Sequence, residues 1–237
     1  MRLKKLVVAL AMSAVFAGVV AGSALGNAST KRAEWWVWGS TLTTGSPVSA
    51  TCRSEGNFAL EGQIAGAKLK MVSTLVFCLE AKIEEVEVGG VRMAVGSTKL
   101  QFNGVTVSEP AGCGVKGKAF TTTALKTDIQ MEGLLIYDKF SPASGETLAL
   151  VSITGCAAEG VYALTGTTFG LNYHAGPEGE ELTNVTGEEF TAQLMGFSPT
   201  VNAIAGGAVK LGGNTATLTG VLNTELPSAL VFGVDEF

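Results

Sequence analysis

The stretch from Thr147 to Tyr173, TLALVSITGCAAEGVYALTGTTFGLNY, leaves this chain the least freedom in how it folds. Val161, Ala163, Thr165, Thr167, Phe169, Leu171 and Tyr173 recur at period two. Most of them are β-branched or aromatic, the pattern of a pleated, half-buried surface. In the arm before it, Ala149, Val151 and Ile153 share one face, and the turn at Ala157 to Gly160 makes the pair a hairpin. Cys156 sits at the mouth of that turn, where a disulfide would tie the hairpin to another part of the sheet.

The same style runs through the chain. Gly89-Gly90 is a hairpin turn between KIEEVEV and VRMAV, Asn103-Gly104 is a turn or a bulge, and SPASGE after LLIYDKF is a loop. Ala67 to Val88 is the one serious helix candidate, because Leu69, Val72, Leu75, Val76 and Leu79 would line one helical face. Its density of β-branched residues and the hairpin turn that follows favour strand. TVNAIAGGAVKLGG reads as a strand with a Gly-Gly bend, Gly213-Asn214 as a turn, and ALVFGVDEF as a last strand. Leu164-Thr165-Gly166 recurs as Leu218-Thr219-Gly220 in similar surroundings. The fold class that follows is all-β and mostly antiparallel, a sandwich or a wide barrel, with helix below about a tenth.

The N-terminus carries an address. Arg2, Lys4 and Lys5 precede an apolar run from Leu6 to Val20, and small residues follow up to Ala28, the layout of a secretory signal peptide over residues 1–28. The expected mature chain, 29–237, is then a single β-rich domain, secreted or at the cell surface, with no transmembrane span after cleavage. The terminal Phe237 is shared with outer-membrane barrels, but Val231, Gly233 and Asp235 do not give a lipid-facing row. Removing 1–28 leaves 13 positive against 21 negative side chains, which argues against nucleic acid as a partner.

Cys52, Cys78, Cys113 and Cys156 all lie beyond residue 28, and none forms a CxxC pair. With one His in the chain, a structural zinc site is disfavoured and two disulfides are expected. Of the three connectivities, Cys52 with Cys78 and Cys113 with Cys156 is favoured, because each closes a modest loop worth about 3 to 4 kcal/mol.

Candidate chemistry is sparse. His174 has no GxSxG elbow to serve, and no phosphate loop, dinucleotide fingerprint or metal spacing occurs, so no cofactor is implied. The carboxylates Glu178, Glu180, Glu181, Glu188 and Glu189 fall among Gly and Pro as a solvated acidic loop, and the stretch Glu80 to Glu87 reads as a solvated face. Asn184-Val185-Thr186 is a glycosylation sequon. Trp35, Trp36 and Trp38 form the possible binding surface, for a glycan, a cell-wall polymer or a protein. Strand alternation puts Trp36 and Trp38 together as a core plug and Trp35 on the outside. Three function classes follow: a non-catalytic surface or extracellular module, a carrier of a small apolar ligand within a β cavity, and a secreted hydrolase using paired carboxylates.

EWWVWGSTL, SGETLALVSITGCAAEGVYALTGT, GPEGEELT and GGNTATLTGVLNTEL, followed by FGV, span nearly the whole mature chain. In their order they resemble a group of exported, functionally uncharacterised bacterial β-rich proteins. Such proteins often have a Cys where this chain has Gly104 or Val105; its absence is a further reason to pair Cys113 with Cys156. The resemblance implies export and a β-rich fold and assigns no catalytic or binding residue.

Overall fold

Alternating runs divided by Gly turns pair into hairpins, and the hairpins here close on one another. The computed structural model describes residues 33–132, 135–175, 181–183, 192–227, 230 and 232–236. The expected signal peptide and most of the acidic loop with its sequon lie outside them. Lys31–Phe237 is one compact unit. Its first half holds β1 (Ala33–Val37), β2 (Ser40–Thr41), β3 (Val48–Ser49), β4 (Thr51–Ser54), β5 (Phe58–Ile64), β6 (Ala67–Ser73), β7 (Leu75–Val88), β8 (Val91–Asn103), β9 (Thr106–Glu109) and β10 (Gly114–Val115). The second holds β11 (Ala119–Thr121), β12 (Leu125–Glu132), β13 (Leu135–Pro142), β14 (Thr147–Thr154), β15 (Gly160–Ala175), β16 (Glu181–Thr183), β17 (Ala192–Phe197), helix α1 (Pro199–Ile204), β18 (Ala208–Leu211), β19 (Asn214–Glu225) and β20 (Phe232–Glu236).

Every ladder is antiparallel. One set of pairings runs β4-β7-β8-β12-β13-β15-β17-β19 and returns from β19 to β4, so that eight strands form a closed barrel. A second set, β9-β6-β5-β19-β18-β15-β14-β10, continues the barrel at the other end of the long strands and is open only between β9 and β10. Closure removes the free edges that an open sheet would leave as templates for aggregation.

β15 and β19 belong to both sets and change partners midway. β15 leaves β14 and β18 for β13 and β17; β19 leaves β5 and β18 for β4 and β17. The repeated Leu-Thr-Gly marks both switches. Gly166 has φ of 104° and a Cβ there would fall on the carbonyl of Ala208, while a Cβ at Gly220 would lie 2.5 Å from the Phe58 ring. That ring fills the main core with Phe102, Phe140, Phe197 and Leu222.

Ala67 to Val88 is strand throughout, divided into β6 and β7, and Gly89-Gly90 makes the β7-β8 hairpin. Ala149, Val151 and Ile153 are all buried together, as expected. Two segments differ from expectation. TVNAI forms a helix, because Ser198 caps it, its Oγ accepting from the Val201 N–H at 3.1 Å, and Pro199 occupies the first turn. The tight turn before β19 is Gly212-Gly213, with Asn214 already paired to Leu211.

The disulfides are Cys52–Cys78 and Cys113–Cys156. The first ties β4 to β7, whose direct ladder is the single pair Arg53 and Phe77. The second ties the loop between β9 and β10 to the β14-β15 turn.

The crowding at Gly220 sets an expectation. Gly220→Ala forces the Phe58 ring off its position and lowers unfolding free energy by about 1 to 3 kcal/mol in denaturant titration. Gly45→Ala, which meets no neighbour within 4 Å but has φ of 77°, carries only the smaller backbone penalty.

Candidate functional site

A strand's inner face is fixed by what it packs on, and β1 packs across one end of the closed barrel with β2 and β20 beside it. Ala33 and Trp35 turn inward there with Leu42 and Phe232. Trp35 is 3% exposed. Its indole Nε1 donates to the Val95 carbonyl at 3.0 Å, its backbone N–H donates to Glu85 Oε1, and its ring lies 6.3 Å from that of Phe232. Arg92 holds the same lid from outside, with Nη1 3.3 Å from Glu34 Oε2 and Nη2 donating to the Leu42 carbonyl at 2.6 Å.

The expected division of the three tryptophans is therefore reversed. Trp35 is the plug, Trp36 is half-buried, and Trp38 is 72% exposed. Alternation holds within β1 with the opposite parity, Ala33, Trp35 and Val37 packing on the core, and Trp38 lies beyond the strand: Val37 pairs with Ser40, so Trp38 and Gly39 are the two turn residues, with φ of 55° and 77°. Two positive φ values define the tight turn for which Asn-Gly is the preferred pair. A Trp in the first position is held in a conformation that bulky side chains disfavour.

Beneath Trp35 the lumen is polar. Asp138 of β13, Asn172 of β15, Gln193 of β17 and Thr224 of β19 face inward on successive strands, one strand each, as a row along the wall. Gln193 pairs directly with Thr224. A cavity of about 50 Å³ borders Asp138, Gln193, Thr224, Thr98, Thr127 and Trp35. Burial pushes the Asp138 carboxyl up from 3.8 to about 7, against the lowering influence of the Asn172 amide close by. Nearer the lid, Glu85 is wholly buried, which corrects the reading of Glu80 to Glu87 as a solvated face. Burial raises its pKa, opposed by the Trp35 N–H. The parity changes at a bulge, where Glu80 has φ of 55° and the β7-β8 register shifts. Val76 and Cys78 face inward before it, and Ala81, Ile83 and Glu85 after it.

The inner face of β15 is the other parity from the one that its apolar periodicity singles out. Leu164, Thr168, Gly170 and Asn172 point into the barrel, whereas Val161 is 64% exposed and Phe169 is covered on the outside by α1. There the Phe169 N–H donates to Asn202 Oδ1 at 3.0 Å. Sequence periodicity missed Asp138, Asn172, Gln193 and Glu85 because it weighs apolar residues. The signal available was parity: Asp138 lies between Ile136 and Phe140, both core residues.

Outside the barrel, Thr51, Arg53, Ser54, Glu55, Asn223 and Glu225 border an open depression of about 450 Å³ over β4 and β19. Its two carboxylates, Glu55 and Glu225, are both exposed, without the burial that general-acid work asks of one of them. The backbone of His174 pairs with Leu182, and its side chain lies outside the described set. Among the described residues no group of three or more His, Cys, Asp or Glu is placed to hold a metal ion, and no helix is long and apolar enough to cross a membrane. Fold and interior together define a disulfide-bonded, antiparallel all-β protein with a polar lumen under an aromatic plug. No family model, curated protein or solved structure matches the chain.

Asp138 makes stability depend on pH. Its carboxyl is raised when folded, so the neutral form's contribution is complete below pH 3.8 and is lost as pH rises through about 7. Uncharged groups face it from β8, β12, β15, β17 and β19; β7 contributes Glu85, whose shift acts in the same direction, and Lys82, whose side chain is exposed. Unfolding free energy should fall by about 3 to 4 kcal/mol between pH 4 and 8 from Asp138 alone. Asp138→Asn should remove most of that slope and leave the protein more stable than wild type at pH 8. A variant whose stability follows the wild-type curve at both pH values contradicts this account.

Proposed function

We propose that this is an exported, non-catalytic binding module of the cell surface or extracellular space, and that the turn between β1 and β2 is its contact surface. The observation that carries the reading is Trp38, a large indole 72% exposed at a turn position whose φ of 55° suits Asn or Gly. Local strain and exposed apolar area at one residue are both departures from what stability favours, and such departures concentrate where a protein makes contact. The ten residues from Trp38 to Pro47 carry no charge and include Ser40, Thr41, Thr43, Thr44 and Ser46. A flat aromatic face beside hydroxyl groups suits a neutral glycan or cell-wall polymer, which offers C–H faces to stack and hydroxyls to pair.

The interior supports the same assignment. A carrier of a small apolar ligand asks for an apolar pocket of roughly 300 Å³ or more with an open mouth, whereas the cavity beneath Trp35 is about 50 Å³ and the larger depression over β4 and β19 is bordered by Arg53, Glu55 and Glu225. The Asp138 carboxyl borders that same cavity of about 50 Å³ and Glu85 is buried apart from it, so the two do not face each other across a cleft with room for a saccharide.

Trp38→Asn separates binding from folding. It should reduce co-sedimentation with insoluble cell-wall polysaccharide at least tenfold, and it should raise stability by a few tenths to about 1 kcal/mol by relieving the turn. Trp35→Ala, by contrast, should lower stability by about 3 to 5 kcal/mol. Undiminished co-sedimentation by a folded Trp38→Asn protein would rule out this surface.

A further inference from the structure

The row of polar side chains in the lumen is incompletely paired. Gln193 Nε2 and Thr224 Oγ1 are buried without partners, while the Asn172 amide lies against the Asp138 carboxyl. Asn172 is 1% exposed and Gln193 3%, so bulk solvent does not reach them. A buried polar atom left in this state is destabilising, and native interiors satisfy such atoms with protein groups or with ordered water. Gln193, Thr224 and Asp138 all border the cavity of about 50 Å³, and Thr98 and Thr127 add two hydroxyls to its wall.

Size and chemistry narrow the guest. A space of about 50 Å³ is near a third of the roughly 150 Å³ that admits a benzene ring, and each liquid water takes about 30 Å³, so about two waters fit and an organic molecule does not. The guest must also donate to the Asp138 carboxyl and accept from Gln193 Nε2, with Thr224 Oγ1 able to take either part. A bare cation satisfies only the first kind of group and an anion only the second; water satisfies both.

We propose that the lumen between Asp138 and the Trp35 plug is an internal water site, in which a cluster of about two ordered waters bridges Asp138, Gln193 and Thr224 as a permanent part of the fold. The waters complete the row that the four strands β13, β15, β17 and β19 present. They also give Asp138 hydrogen-bond donors in its ionised form without opening the barrel. Trp35 keeps them from exchanging freely, since its indole closes that end of the lumen.

A crystal structure of the full chain at about 1.5 Å tests this directly. The expected density is about two fully occupied waters, each within about 2.6 to 3.2 Å of at least two of these three side chains. Direct bonding of Gln193 to Thr224 around an empty space would overturn the proposal. So would a single peak with oxygen-only contacts near 2.3 to 2.6 Å, the signature of a hard cation. In solution, water-oxygen magnetic relaxation dispersion should lose about two long-lived waters on going from wild type to Gln193→Leu/Thr224→Val, which lines the space with apolar groups. An unchanged dispersion in the folded double variant counts against the site, and if that variant does not fold the crystallographic result decides alone.

Discussion

A barrel exists only if its last strand finds its first, and here the seam is short. β4 meets β7 through the one pair Arg53 and Phe77, with β3 adding Val48 and Ser49 opposite Ile83 and Lys82. The Cys52–Cys78 disulfide crosses that seam, and the Val76 N–H donates to Ser54 Oγ beside it. The covalent link thus stands where backbone pairing is thinnest. Seven other ladders in the ring are longer, so their cooperativity depends on this join holding.

Closure then dictates what fills the inside. Midway along the long strands, Phe58, Phe102, Phe140, Phe197 and Leu222 fill the interior. Toward the lid the same inward positions carry Asp138, Asn172, Gln193 and Thr224, and the space is sealed by Trp35 rather than by further aliphatic packing. The polar section gives up hydrophobic stabilisation, and the Trp35 N–H to Glu85 and indole to Val95 bonds hold the plug over it. Outside this filled interior, the β1-β2 turn leaves Trp38 exposed.

The sequence exposed the strands well because β-branched alternation and Gly turns are local signals. The β7-β8 hairpin and the strand character of Ala67 to Val88 were legible on that basis, and loop length pointed to both disulfides. Parity was harder to read, since it is decided by the partner. The bulge at Glu80 turns Glu85 inward, β1 packs with Trp35 rather than Trp36 on the core, and α1 covers Phe169 on the outside of the barrel, where Asn202 accepts from its backbone N–H. Leu-Thr-Gly recurred visibly at residues 164–166 and 218–220, but its meaning, a strand changing partners, required the three-dimensional pairing. The helix after Ser198 was signalled by Ser-Pro, a cap and first-turn pair, and was outweighed by the small apolar residues that follow.

Native-state hydrogen exchange on the Cys52→Ala/Cys78→Ala protein reads the closure directly. If the disulfide holds the seam, amides of β4 and of β7 beside it lose protection through a local opening, while those of β12, β13 and the middle of β15 continue to exchange only with global unfolding. Protection at Arg53, Val76 and Phe77 that falls no further than protection in β13 would mean that the seam holds without its disulfide, and would contradict the account.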